Sequence, residues 1–301
     1  MKLLALLIGL AVERLATQLF HLRRLPWLDR AIDFGFRQAG RLANWPPLLS
    51  VTILAVVLVL PVLAVRFGLG DVWFDLPYLV LAIFVLFFSL GPKDIGEDVL
   101  EYCRAIEKGD ETEIAARAKA IAETDVPGDA RERIRLVEES VCIQANNRLF
   151  AVIFWFVVLG PVGAWAYRVT DLIRRRAVFN ELRAEDRAGA PLVAAAGTLH
   201  GWLAWVPARL TAIGFAMAGS FDGAHHAWRG GDEDRPATLH GRSERLLARV
   251  GTGALALQDV DGETQAERGI RGATAANGLV YRLLFIWAAV IAAMTLYGWS
   301  E

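Results

Sequence analysis

Arg209 stands near the middle of an apolar run, Trp202 to Gly219, where a guanidinium is costly and is usually aimed at a partner or a wet cavity. Two readings are open for it. It is an anion- or carboxylate-binding group facing the interior of a helix bundle, or it snorkels to the interface or pairs with a backbone carbonyl freed by Pro207. Asn146, Asn147 and Arg148 form a polar mouth just before a second, aromatic apolar run. They are the rim of a ligand site, or the point where a helix meets the headgroup layer, at which arginine is ordinary. Glu13 and Arg14 place an acid beside a base at a membrane entry; they can satisfy each other, or a charge such as Arg209, without catalysing anything. His225 and His226 are adjacent, so their rings diverge on any regular element, and a polar loop is preferred there over a metal site. The sequence contains no G-x-x-x-x-G-K-[ST] phosphate loop, no H-E-x-x-H and no G-x-S-x-G elbow. No catalytic residue, metal or cofactor is therefore assigned.

The elements that must hold these side chains follow from the distribution of apolar residues. They make up 55% of 301 residues and are concentrated in a few runs separated by Arg-, Glu- and Asp-rich stretches. Lipid accepts only apolar surface while connecting segments stay in water, so the pattern predicts an all-α, polytopic helical integral membrane protein with cytoplasmic helical loops. Leu48–Val65, Leu76–Leu90 and Leu283–Trp299 read as spans (48–65, 76–90, 283–299), each near the length a hydrocarbon core of about 30 Å requires. Segments 3–20, 149–167 and 202–219 read as uncertain or broken membrane segments, and the start of the chain is read as retained rather than cleaved. Leu22–Asn44 is basic and amphipathic. Residues 93–148 and 220–278 read as soluble helical insertions. In the first, Gly109, Asp110 with Glu113, and Asp129 with Glu132 punctuate three short helices. All of this is taken as one helical membrane domain.

Charge decides the expected topology. The positive-inside rule places 22–44 and 93–148 in the cytoplasm, yet a full crossing by 149–167 would carry Arg174, Arg175 and Arg176 outside. A break at Gly160-Pro161 removes the conflict, because irregular backbone is tolerated in a membrane where protein buries it. A net charge of −1 argues against nucleic acid as a partner. Membrane lipid is the partner that composition implies; oligomeric state is left open. Cys103 and Cys142 fall in the first insertion and are expected to be reduced.

The stretches LLIGLAVERL at Leu6–Leu15, NNRLFAVIFWFVVLGPVGAWAYR at Asn146–Arg168 and WVPARLTAIGFAMAG at Trp205–Gly219 resemble the AmpE family. More distantly they are similar to the cobalamin-pathway membrane enzymes that make adenosylcobinamide phosphate. The first resemblance implies an inner-membrane protein of Gram-negative bacteria tied to β-lactamase induction and cell-wall recycling. It also implies a cytoplasmic anhydromuramyl-peptide amidase as partner and no established reaction. The second implies acids that this chain lacks at the matching positions, where Ile143, Gln144 and Asn147, and then His200 and Gly201, stand instead. Amides and the His200 imidazole can bind a ligand, but carboxylates are what would hold Mg²⁺ or act as a general base. A regulator without catalysis is the reading preferred; a membrane-bound synthase of the cobinamide-phosphate type, with acids drawn from Glu13, Asp94 or Glu97, is the alternative.

Overall fold

The computed structural model describes residues 26–41, 45–68, 76–90, 94–183, 189–230, 238–258 and 260–296. Segment 3–20 with Glu13 and Arg14, and the end of the expected last span at 297–299, lie outside the described residues. Among the described residues the chain is all-α, without a strand: α1 (Pro26–Arg41), α2 (Pro47–Gly68), α3 (Leu76–Ser89), α4 (Ile95–Lys108), α5 (Glu111–Ala122), α6 (Ala130–Ala145), a π-helical turn (Asn146–Phe150), α7 (Ala151–Arg183), α8 (Ala190–Ala218), α9 (Phe221–Arg229), α10 (Leu239–Leu255) and α11 (Gln265–Leu296).

Local chemistry sets most boundaries. Asp94 caps α4 and Gly109 ends it in the left-handed region, at φ 69°. Asp110 accepts the backbone N–H groups of Thr112 and Glu113, and Asp129 those of Arg131 and Glu132, each quenching free donors at a helix start. Thr264 and Glu267 bond reciprocally ahead of α11, a full capping box that no punctuation in the sequence had singled out.

Among the described residues, three stretches are long and apolar enough to cross a membrane: α2, most of α11, and the continuous run Ala130–Arg183. Their surroundings differ. The most apolar window is 11% buried in α2 and 22% in α11, as helices facing lipid would be, but 56% buried in the third. With apolar side chains such as Val56, Val57, Leu60, Phe67, Phe84 and Phe285 facing outward, this is a membrane protein. The 14 residues of α3 rise only about 21 Å, short of a full hydrocarbon core.

The buried third stretch turns back on itself. At Gly160 the backbone takes φ 68°, ψ −155° inside α7, a region essentially reserved for glycine. Pro161 follows, disfavouring helical geometry in the residue before it. The halves on either side of Gly160 lie against each other: a Cβ on Gly163 would stand 2.4 Å from the Trp155 carbonyl oxygen. At the open end, Arg175 reaches Gln144 at 3.3 Å. Fifteen residues after the turn therefore meet sixteen before it, which only a helical hairpin permits.

α8 lies across this hairpin. Pro207 leaves the Leu203 carbonyl without its helical N–H, and the Trp155 indole N–H fills the vacancy at 3.0 Å. α10 packs on α8 closely enough that a Cβ on Gly201 would lie 2.8 Å from the His240 backbone nitrogen. On the other side, α1 seats Leu28 and Ile32 in the cluster that includes Val51, Ala55, Val169 and Ile173, and Asp33 pairs with Arg176.

Candidate ligand site

The π-helical turn at Asn146–Phe150 is where the site begins. One extra residue in a turn re-aims the side chains, a device common at functional positions. Asn146, Asn147 and Arg148 are all buried, at 0%, 2% and 7% exposure. They therefore face protein rather than solvent or lipid. Thr211 of α8 donates to Asn146 at 3.0 Å, Asn146 to Asn147 at 3.1 Å, and the Tyr167 hydroxyl to Asn147 at 3.4 Å.

Arg148 is the first hub. It donates to Asp98 of α4 at 2.9 Å, to Glu123 at 2.7 Å and to Gln144 at 3.1 Å. Asp171 of α7 is the second, fully buried, accepting from Arg168 at 3.0 Å, Arg174 at 3.2 Å and Arg175 at 2.8 Å. Arg175 also bonds Glu123 and so joins the hubs. From Asp171 the network runs on through imidazoles. His200 Nε2 lies 3.8 Å from Asp171, too far to bond, while its Nδ1 meets His240 Nδ1 at 3.2 Å, so one ring carries the shared proton. His240 Nε2 in turn stands 3.2 Å from Glu244, to which Asn147 also donates at 3.5 Å.

Four guanidiniums (Arg148, Arg168, Arg174, Arg175) thus face four carboxylates (Asp98, Glu123, Asp171, Glu244) around two imidazoles. Matching is what makes such burial tolerable, since each ion taken from water alone costs several kcal/mol. Glu123 shows how tightly the corner is determined. It caps α5 at φ 56°, a left-handed conformation costly for a residue with a side chain, and there its carboxylate meets both Arg148 and Arg175.

Burial pushes the Glu123 carboxyl up, but the charges of Arg175 and Arg148 hold it below the ordinary glutamate value. Burial likewise opposes ionisation of Glu244, yet the His240 hydrogen bond and charge, with Arg174, draw it down to about 2. In both cases an unfolded chain takes up the proton first on acidification. Their stabilisation is therefore complete above the ordinary value of 4.5 and is lost as pH falls toward 2. In neutral detergent at fixed ionic strength, Tm is expected to fall as pH drops below about 4.5, with part of that fall missing in Glu244→Gln. A Tm that rises on acidification would contradict this.

Of the residues singled out in the sequence, Asn146, Asn147, Arg148 and His200 meet in this network; Glu13 and Arg14 lie outside the described residues. Arg209 is not brought to them. Thr211 faces Asn146, and a residue two positions earlier points about 200° away around the helix. The Arg209 guanidinium lies over the Trp205 ring at 3.9 Å and donates to the Trp205 carbonyl at 2.9 Å. Its positive charge is met on its own helix. His225 and His226 sit on a helix rather than a loop, exposed, with His225 stacked on Phe221.

The acids also come from other places than expected. Asp94 caps α4 and accepts the Tyr281 hydroxyl, and Glu97 is exposed. Asp98 and Asp171 take the interior instead, with Glu123 and Glu244 partly exposed at its edge. A signal for Asp171 was present: it lies three residues after Arg168, three before Arg174 and four before Arg175, spacings that put all four on one helical face. Asp98, Glu123 and Glu244 belong to helices whose approach no local pattern announces.

The network opens on a cleft of about 740 Å³ between α5, α6, α7 and α10. Lys119, Glu123, Gln144, Arg174, Arg175 and Glu244 supply its polar wall. Phe179 and Leu182 form an exposed apolar rim.

Comparison with known proteins fits this scaffold. The chain is 29% identical to the cobalamin biosynthesis protein CobD of Stutzerimonas stutzeri (strain A1501) over 197 residues, 65% of this chain and 59% of that protein. It is 26% identical to the protein of the same name from Chromobacterium violaceum over 156 residues, 50% of this chain and 47% of that one. The chain thus spans roughly half of each of these curated relatives. No solved structure matches. The family model for the regulatory signalling modulator protein AmpE matches residues 1–299, and the chain belongs to the AmpE family.

Proposed function

We propose that this chain is a multi-pass protein of the Gram-negative inner membrane that modulates β-lactamase induction in response to cell-wall recycling, and that it does so by binding rather than by catalysis. One observation carries the reading: the buried carboxylates Asp98 and Asp171, and Glu123 at their edge, are each held by guanidiniums. A carboxylate engaged in this way is poorly placed to ligate Mg²⁺ or to serve as a general base. Such a matched network suits a two-position element, in which a ligand that competes for one arginine re-pairs the others. The soluble helices α4 to α6 and α9 to α10 face the compartment in which a cytoplasmic anhydromuramyl-peptide amidase would be met.

The test uses a strain with inducible chromosomal β-lactamase. Deleting the chain is expected to change the induced level, with parental but not Asp171→Asn protein restoring it. The similarity to CobD supports a second reading, a synthase of the cobinamide-phosphate type. Rescue of a strain lacking that step, with unaltered β-lactamase induction on deletion, would favour it over regulation.

A further inference from the structure

The cleft beside the network has features that neither its charge balance nor the regulatory reading requires. Arg174 lines it and donates one N–H to Asp171, yet its Nε–H is buried with no acceptor. A buried guanidinium edge without an acceptor is rare in folded proteins. Lys119 lines the same cleft, its ammonium engaged among the described residues by the highly exposed Asp125. These donors suit a tetrahedral oxyanion.

The rim suits something other than a small soluble anion. Phe179 is 43% and Leu182 78% exposed, at the mouth of a cleft whose wall also carries Leu136, Ile143, Leu172 and Val178. Arg176 and Arg183 lie at 5.0 and 5.2 Å from the Phe179 ring centroid, so the aromatic side chain is flanked by cations. α1 adjoins this rim: Asp29 is part of the cleft lining and Asp33 pairs with Arg176. Its outward side carries Trp27 and Phe34 beside the exposed Arg30 and Arg37, a composition that settles at the surface of an anionic bilayer. The cleft therefore opens where headgroups lie.

We infer that the cleft binds an anionic phospholipid, with Arg174 and Lys119 taking the phosphate and Phe179 and Leu182 the first part of the acyl chain. The inference goes beyond the regulatory reading and does not depend on it. Binding is measured on purified protein, where loss of signalling would be silent.

Three short probes separate the chemistry: dioctanoyl phosphatidylglycerol, dioctanoylglycerol without the phosphate, and glycerol phosphate without the tails. In neutral detergent the first is expected to bind and raise Tm, and the other two to bind at least about tenfold more weakly. Lys119→Ala and Arg174→Gln should each weaken the first probe by about tenfold, the scale of one lost charge-assisted hydrogen bond. Arg174→Gln touches the network, so Lys119→Ala and Leu182→Gln, both at exposed positions, keep the test independent of folding. Equal binding of glycerol phosphate would assign the cleft to a soluble anion and overturn the inference. So would phosphatidylglycerol binding that is indifferent to both exposed substitutions.

Discussion

Asp171→Asn is expected to destabilise the protein by about 3–5 kcal/mol, the largest effect of any single substitution outside the backbone. The side chain has no exposed surface and three guanidiniums bond it. An amide of the same size keeps the packing and removes the charge. Arg175 would retain Glu123, but Arg168 and Arg174 would be left without a carboxylate partner among the described residues and with little water to take its place. Asp33→Asn is the matched control. It too removes the partner of an arginine, Arg176, but both side chains are about one-quarter exposed, where a pair is worth about 1 kcal/mol or less. Denaturant unfolding in detergent, with the amount of protein in membranes as a second readout, distinguishes the two. If both variants cost the same, Asp171 is not the anchor that its burial implies.

The second large effect concerns the turn at Gly160. Its φ of 68° with ψ −155° is strained for any residue with a Cβ, which alone costs about 1–3 kcal/mol. The new carbon would also stand 3.0 Å from the Tyr78 hydroxyl oxygen. Gly160→Ala is therefore expected to loosen the hairpin and lower Tm. The double change Gly160→Ala, Pro161→Ala goes further, because it removes both the residue that permits the reversal and the one that disfavours a helix before it. A continuous helix then becomes the favoured geometry, and a topology reporter at Phe179 should move to the opposite side of the membrane. An unchanged reporter and an unchanged Tm would mean that the reversal is held by packing, with no need of this backbone.

How much of this was legible in the sequence depended on the range over which each cause acts. Gly109, Asp110 and Asp129 close or open helices through groups two or three residues away, and local spacing suffices to find such caps. Gly160-Pro161 announced a break, and the arginines at 174 to 176 gave a charge argument for the chain's return. The pairing of Arg175 with Glu123 was beyond reach. It joins residues 52 apart through a left-handed glutamate, and neither periodicity nor composition encodes that approach. Arg209 was open to two readings in the sequence, an interior anion site or a local partner. Its partners are the ring and carbonyl of Trp205, one turn earlier on the same helix. The flanking tryptophan was a visible clue to that outcome. His200 seemed to stand for a lost acid; instead it sits between Asp171 and a second imidazole brought by α10.

The functional consequence turns on geometry more than on inventory. Acids are present in the interior, but arginines from the returning half of the hairpin occupy Asp171 and Glu123. The pairs of Asp171 are local to α7, whereas that of Arg175 with Glu123 exists only if the chain comes back from Gly160.

Thr124 and Phe179 line one cleft although 55 residues and the whole hairpin separate them, and both are exposed. With Cys103 and Cys142 buried, cysteines placed at these two positions can be treated with a short bis-maleimide in intact membranes. The account predicts that both are labelled from the same side and become joined to each other. Labelling from opposite faces, with no joined product, would contradict it.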